Sequence, residues 1–206
     1  MLDASLLMGF ALTALIIELT PGPNMAWLVL LSATEGRRAG IVATAGIAAG
    51  LLIVAMIAAF GLATLVEQTP YIYEALRWAG GLFLLFLAWE SWQAAQAAAT
   101  LSNTSGRVIR HALRGLTINI LNPKAALFYI TVLPEFIAPS EAVHIQAVVL
   151  ALISVLIATT VHLSLVILSA SAHDFLSDPA RNQIIRRIFS VLLVGVALWL
   201  LLSTAR

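Results

Sequence analysis

Glu18 and Lys124 are an acid and an amine set inside long apolar runs, each close to prolines that must interrupt a helix. The first run is broken by Glu18-Leu-Thr-Pro-Gly-Pro-Asn24, the second by Leu121-Asn-Pro-Lys-Ala-Ala126. Pro21, Pro23 and Pro123 remove backbone donors, and Gly22 loosens the chain, so carbonyls and N–H groups are freed where they could bind something else. A new half-helix is expected after Pro23 and after Pro123, with proline at the first helical position and Gly22 or Asn122 as N-cap. Free N–H groups and the positive dipole end at such starts favour an anion. Lys124 adds a full charge in the second of them. Glu18, with carbonyls freed around Thr20 and Pro21, has the opposite character and could receive an ammonium. A site with one end of each kind suits a small zwitterion, and amino acids are the abundant ones.

Other residues border this set. Asn119 lies one turn before Pro123, as Glu18 lies about one turn before the first break; its alternative role is an interhelical hydrogen bond. His162 falls inside an apolar helix beside Thr159 and Thr160, where it is either a proton relay or a structural interhelical histidine. In a low-dielectric interior the charged forms of Glu18 and Lys124 are both disfavoured, which makes either a candidate for proton exchange. A direct Glu18–Lys124 structural bridge is the competing reading, and a mere proline kink is another.

The elements that must position these residues are membrane spans. The chain has 206 residues, of which 61% are hydrophobic and 10% charged, against about 25% charged in a soluble domain. Six apolar segments are expected, at about 5–32, 40–66, 75–92, 114–134, 142–169 and 187–204. Residues 4–32 as one helix would run roughly 40 Å, longer than the roughly 30 Å of bilayer hydrocarbon, so the break falls at depth. Arg37, Arg38, Arg107, Arg110, Arg114, Arg181, Arg186 and Arg187 cluster on connectors one, three and five or their flanks. The positive-inside rule then makes those connectors cytoplasmic and both termini extracytoplasmic, with the arginines serving topology and anionic-lipid contact. Tyr71, Tyr73, Trp78 and Trp199 fall at the outer boundary, Trp89 and Trp92 at the inner one. Glu67, Glu74, Glu90, Glu135, Glu141, Asp174 and Asp178 lie at or beyond span ends and are read as solvated. Gly46 and Gly50, like Gly80-Gly81, are read as close helix packing, with a dimer face as the other option.

The two breaks also align. Pro23 matches Pro123, Gly22 matches Asn122, Asn24 matches Lys124 and Ala26 matches Ala126, and two further spans follow each. Three spans per half invert the second half relative to the first. The fold expected is therefore all-α: a polytopic membrane protein of six transmembrane helices in two inverted 3+3 repeats, about 1–98 and 108–206, with the first and fourth helices broken at proline. It forms one transmembrane domain over 1–206. The start is not read as a cleavable leader, because Asp3 stands in place of a basic n-region and Pro21-Gly22-Pro23 where a cleavage site would lie.

The chemistry excluded is broad. Zero cysteines rule out disulfides and thiolate metal sites. No cofactor or metal is expected, since no phosphate loop, dinucleotide fingerprint or zinc spacing occurs. The net charge of +1, without a dense basic cluster, argues against nucleic acid. An intramembrane enzyme using Glu18, Lys124 or His162 would need a nucleophile–base pairing that is not evident, and a passive channel or structural membrane protein is the further alternative to a transporter. Ile-Glu-Leu-Thr-Pro-Gly-Pro-Asn, Gly36-Arg37-Arg38-Ala39-Gly40 ahead of the glycine-bearing second span, and Leu121-Asn122-Pro123-Lys124-Ala125-Ala126 together resemble the LysE/RhtB group of bacterial amino-acid exporters, in length, span count and order. The resemblance implies an inner-membrane exporter of amino acids or their derivatives, coupled to proton influx, with a homodimer as one arrangement. It carries over to Pro21, Gly22, Pro23, Asn24, Asn122, Pro123 and Lys124; the coupling role of Glu18 rests on the physical reasoning above.

Overall fold

The computed structural model describes residues 4–20, 22–62, 70–94, 104–137, 143–171 and 178–203. Pro21 and the connector residues Glu67, Glu141, His173 and Asp174 lie outside them. Every regular element among the described residues is helical: α1 (Ala4–Leu19), α2 (Pro23–Glu35), α3 (Arg37–Ile57), α4 (Pro70–Ala94), α5 (Thr104–Ile120), α6 (Pro123–Leu127), α7 (Val143–Ala170) and α8 (Pro179–Ser203). A π turn, Ala58–Leu62, extends α3; a π turn at Phe128–Val132 and a 3₁₀ turn at Leu133–Phe136 extend α6. Pro134 has no N–H to give to the carbonyl four residues back, so the α-helical ladder cannot continue there.

Among the described residues two helices are long and apolar enough to cross a membrane, Arg37–Phe60 and Val143–Ala170, and the bent pair α1 and α2 makes a third if it is one span. That is fewer than the six expected from hydropathy. The remaining helices carry charge within their length, as Glu90 does in α4, Arg110 and Arg114 in α5, and Arg186 and Arg187 in α8. The surface is nonetheless apolar: Leu12, Ile16, Leu52, Leu156, Leu168 and Leu202 are among many large hydrophobic side chains left exposed, a surface that lipid accepts and water does not.

Two span limits move. The stretch 104–113, read as a connector, is the first part of α5. His111, Gly115, Ile118 and Asn119 are all buried, and their spacing of four, three and one residues is a helical stripe that leaves Arg110 and Leu113 outside. Asp178 is not merely solvated: its Oδ1 accepts the N–H of Arg181 at 3.0 Å, capping α8 and starting it at Pro179 rather than near 187.

Helices approach closely where glycine permits. A Cβ on Gly46 would collide with the Ala112 carbonyl, one on Gly50 with Leu116 O, and one on Gly115 with the Ala43 carbonyl, so α3 and α5 touch backbone to backbone. Gly46 and Gly50 are thus spent on packing within the chain and do not form a dimer face. Gly46→Ala should destabilise the protein by about 1–3 kcal/mol through overpacking. Gly195, which has nothing within 4 Å of its added Cβ, should tolerate alanine. Thermal unfolding of both variants in detergent checks this; equal behaviour would contradict the packing.

Two apolar clusters fill the interior. One gathers Trp27, Leu28, Ile47, Leu84, Ile118, Val166 and Leu193; the other gathers Phe10, Ala14, Leu51, Ala125, Tyr129, Leu150 and Ala158. Along α7 the change from one to the other occurs between Ala158 and Val166, at His162. Between Ile118 and Ala125 it occurs at Asn119, and on α3 between Ile47 and Leu51, where Gly50 faces Asn119. The polar residues occupy the seam.

Candidate functional site

α1 ends at Leu19 and α2 starts at Pro23, with their axes bent by 61°. At the end of α1 the Thr20 N–H bonds Ile17 O at 3.1 Å and the Thr20 hydroxyl reaches Ile16 O at 3.2 Å. Gly22 is the N-cap of α2 in an extended conformation, without a side-chain cap. The second break differs in one respect. Asn122 caps α6 with its own side chain, whose Oδ1 accepts the Lys124 N–H at 3.0 Å. Free amides at a helix start therefore belong to α2, at Asn24 and Met25, rather than equally to both.

The two breaks meet. Lys124 Nζ donates to Thr20 O at 2.6 Å across 104 residues, and its side chain lies beside Gly22, where a Cβ would be 3.6 Å from Lys124 Cδ. Asn24 Nδ2 donates to Asn119 Oδ1 at 2.6 Å, linking the start of α2 to the end of α5. Both asparagines are buried, and Asn24 Oδ1 and Asn119 Nδ2 keep no partner. One acceptor and one donor are thus left unused in a buried place, where such groups normally find partners. Glu18, Gly22, Asn24, Asn119, Asn122, Lys124 and His162 line a common cavity of about 40 Å³. At ~10–15 Å³ per water that is room for about three waters, too little for an amino acid.

Glu18 does not bridge to Lys124. Its Oε1 lies 3.1 Å from His162 Nε2, on a ring that is 1% exposed. Neither ring nitrogen of His162 makes an aligned hydrogen bond, so the contact is a close ion pair or dipole contact rather than a directed bond. His162 therefore lies against Glu18 and is not packed among apolar side chains alone. Of the other expected site residues, Thr20 contributes its carbonyl while the residue itself is exposed, Pro23 is buried as the first residue of α2, and Pro123 begins α6.

Sequence reasoning passed over several groups. Tyr129 OH and Ser154 Oγ lie 2.8 Å apart, both buried against this cavity; the four-residue steps Ala125, Tyr129, Leu133 carried the signal. At the far end of α2, Glu35 lies 3.3 Å from His111 Nε2 and 3.6 Å from Arg186, and Glu90 pairs with Arg114. Glu90 is therefore not simply solvated, and Arg114 and Arg186 do more than set topology. His111 was hidden in a presumed connector, and Glu35 sits beside the conspicuous Gly36-Arg37-Arg38. Among the described residues no group of three or more His, Asp or Glu is arranged to hold a metal.

The chain is 28% identical over 200 residues, 96% of each chain, to a protein named homoserine/homoserine lactone efflux protein of Salmonella typhimurium. It is 31% identical over 153 residues, 68% of this chain and 70% of the relative, to one named leucine efflux protein of Klebsiella pneumoniae. No solved structure matches it. The family model described as LysE type translocator matches residues 15–204. With that match covering nearly the whole polypeptide, and with the site described above, the chain belongs to the LysE type translocator family, whose members are transporters and not enzymes.

Proposed function

We propose that this protein exports small zwitterionic amino acids, or their derivatives, across a bacterial inner membrane in exchange for protons. One observation carries the reading: the two proline-flanked helix starts meet in one cavity that holds Lys124 at one side and the Glu18–His162 pair at the other. The substrate carboxylate goes to Lys124 and the amides that open α2; its ammonium goes to Glu18 and the carbonyl of Thr20. The relatives' printed names, of homoserine, its lactone and leucine, are consistent with a small aliphatic amino acid. The six-span inverted 3+3 arrangement, with the arginine-rich end cytoplasmic and both termini outside, supplies the movement. The two halves rock about the asparagine seam, and the cavity, closed to about three waters here, widens on one side at a time.

Purified protein in lipid vesicles, tested with a panel of labelled amino acids that includes leucine and homoserine, should move at least one of them when a pH gradient is imposed. Absence of gradient-dependent movement for the whole panel would end this reading.

A further inference from the structure

A larger cavity than the Glu18 site lies at the arginine-rich end, between α2, α4, α5 and α8. It measures about 180 Å³, and its ionisable lining is Glu35, Glu90, Arg110, His111, Arg114 and Arg186, with Trp27 in the apolar wall. At ~10–15 Å³ per water it has room for roughly a dozen, enough for the heavy atoms of a small amino acid. We propose that this cavity is a second binding site, which takes the carboxylate end of a small zwitterionic cargo before it reaches the Glu18 cavity. The inference rests on the transport reading above.

Charge is sorted across the cavity. The carboxylates come from the first half, Glu35 on α2 and Glu90 on α4. The bases come from the second, His111 and Arg114 on α5 and Arg186 on α8. Each ion pair, Glu35–His111, Glu35–Arg186 and Glu90–Arg114, thus crosses between halves. Three guanidinium groups and two carboxylates line the cavity, a formal charge of +1 with His111 neutral. Arg110 is the guanidinium with no ion-pair partner among the described residues. His111, 5% exposed, gives one ring nitrogen to Glu35 and keeps Nδ1 without a partner. A net positive wall with an unused guanidinium fork is chemistry for an oxyanion. The carboxylates opposite can receive an ammonium once their own pairs part.

The location fits a staging site. α2 runs from Asn24, in the central cavity, to Glu35, in this one. Eleven residues of helix separate the two by about 16 Å. A cargo bound at Arg110 competes for the pairs that tie the halves together at this end, so loading and loosening are one event.

A lipid phosphate offers the same oxyanion chemistry, and the test separates the two sources. Equilibrium dialysis of the purified protein in nonionic detergent without lipid, against labelled leucine and labelled homoserine, should give two molecules of at least one probe per chain. Arg110→Gln should leave one, by weakening the second site tenfold or more, with thermal unfolding unchanged because Arg110 is exposed. Fewer than two per chain in the wild type with both probes would overturn the proposal, as would two per chain in Arg110→Gln with unaltered affinities. If short-chain phosphatidylglycerol binds in an Arg110-dependent way and the amino acids never do, the occupant is lipid and the cargo assignment fails. Two bound per chain without gradient-driven movement would defeat the transport reading while leaving the site standing.

Discussion

Glu18→Gln is expected to abolish accumulation against a gradient while leaving exchange of labelled for unlabelled substrate in place. Glutamine keeps the size and hydrogen-bonding edge of the side chain but can neither lose nor take up a proton. For one proton exchanged per substrate at zero membrane potential, a pH step of one unit sustains a ~tenfold substrate ratio, since ~1.4 kcal/mol is a factor of ten. The variant's ratio should fall to ~1 at every imposed gradient. Because Oε1 of Glu18 lies 3.1 Å from His162 Nε2, His162→Gln should alter the pH dependence of the same step. A wild-type response in Glu18→Gln would move the proton path elsewhere. Vesicle counterflow, which reads exchange without a gradient, separates loss of coupling from loss of binding.

Lys124→Ala is expected to lower the apparent affinity for amino acids by about 10–100-fold and to remove the preference for an amino acid over its amide. A hydrogen bond to a charged group contributes about 1.5–3 kcal/mol, and a carboxylate loses it while a neutral amide has little to lose. In the present state Lys124 Nζ donates to Thr20 O at 2.6 Å, so the ammonium is held at the mouth of α2 before any ligand arrives. Lys124→Arg should restore part of the affinity, but a planar fork cannot reproduce the position of a point charge beside Gly22. Competition of the free acid and the amide for labelled substrate uptake measures the ratio. If the ratio of affinities stays as in the wild type, Lys124 does not face the carboxylate.

The two variants probe opposite ends of one cavity, and their effects should not simply add. Glu18 and Lys124 sense each other's charge although they do not touch, and both depend on α1 and α6 keeping their places at the Thr20 carbonyl. A double variant that remains uncoupled and binds more weakly than Lys124→Ala alone, by less than the sum of the two single losses, is the pattern expected of two charges that share one ligand.

Much of the site was legible in residue order because proline acts locally. Pro23 and Pro123 lack an N–H wherever the chain takes them, and Gly22 and Asn122 precede them, so helix starts at those points follow from covalent chemistry alone. Apolar composition likewise decides for lipid before any contact is known, and the motifs around both prolines were enough to indicate the family to which the chain belongs. Hydropathy was less informative about limits. It placed the start of the fourth segment near 114 because Arg107 and Arg110 dilute the average, although the stripe of His111, Gly115, Ile118 and Asn119 makes 104–120 one helix.

What the residue order determined, then, is where the backbone must break, that the chain is built for a bilayer, and which ionisable groups stand next to the breaks. Who pairs with whom was decided only in three dimensions. The separation in sequence between Glu18 and His162, Asn24 and Asn119, or Glu35 and Arg186 contains no distance information, and each contact is made by helices brought together elsewhere. The glycine seam of α3 and α5 sets that approach: with Gly46, Gly50 and Gly115 in van der Waals reach of opposing carbonyls, Asn119 is carried to Asn24. Packing of α7 brings His162, and not Lys124, to the carboxylate of Glu18.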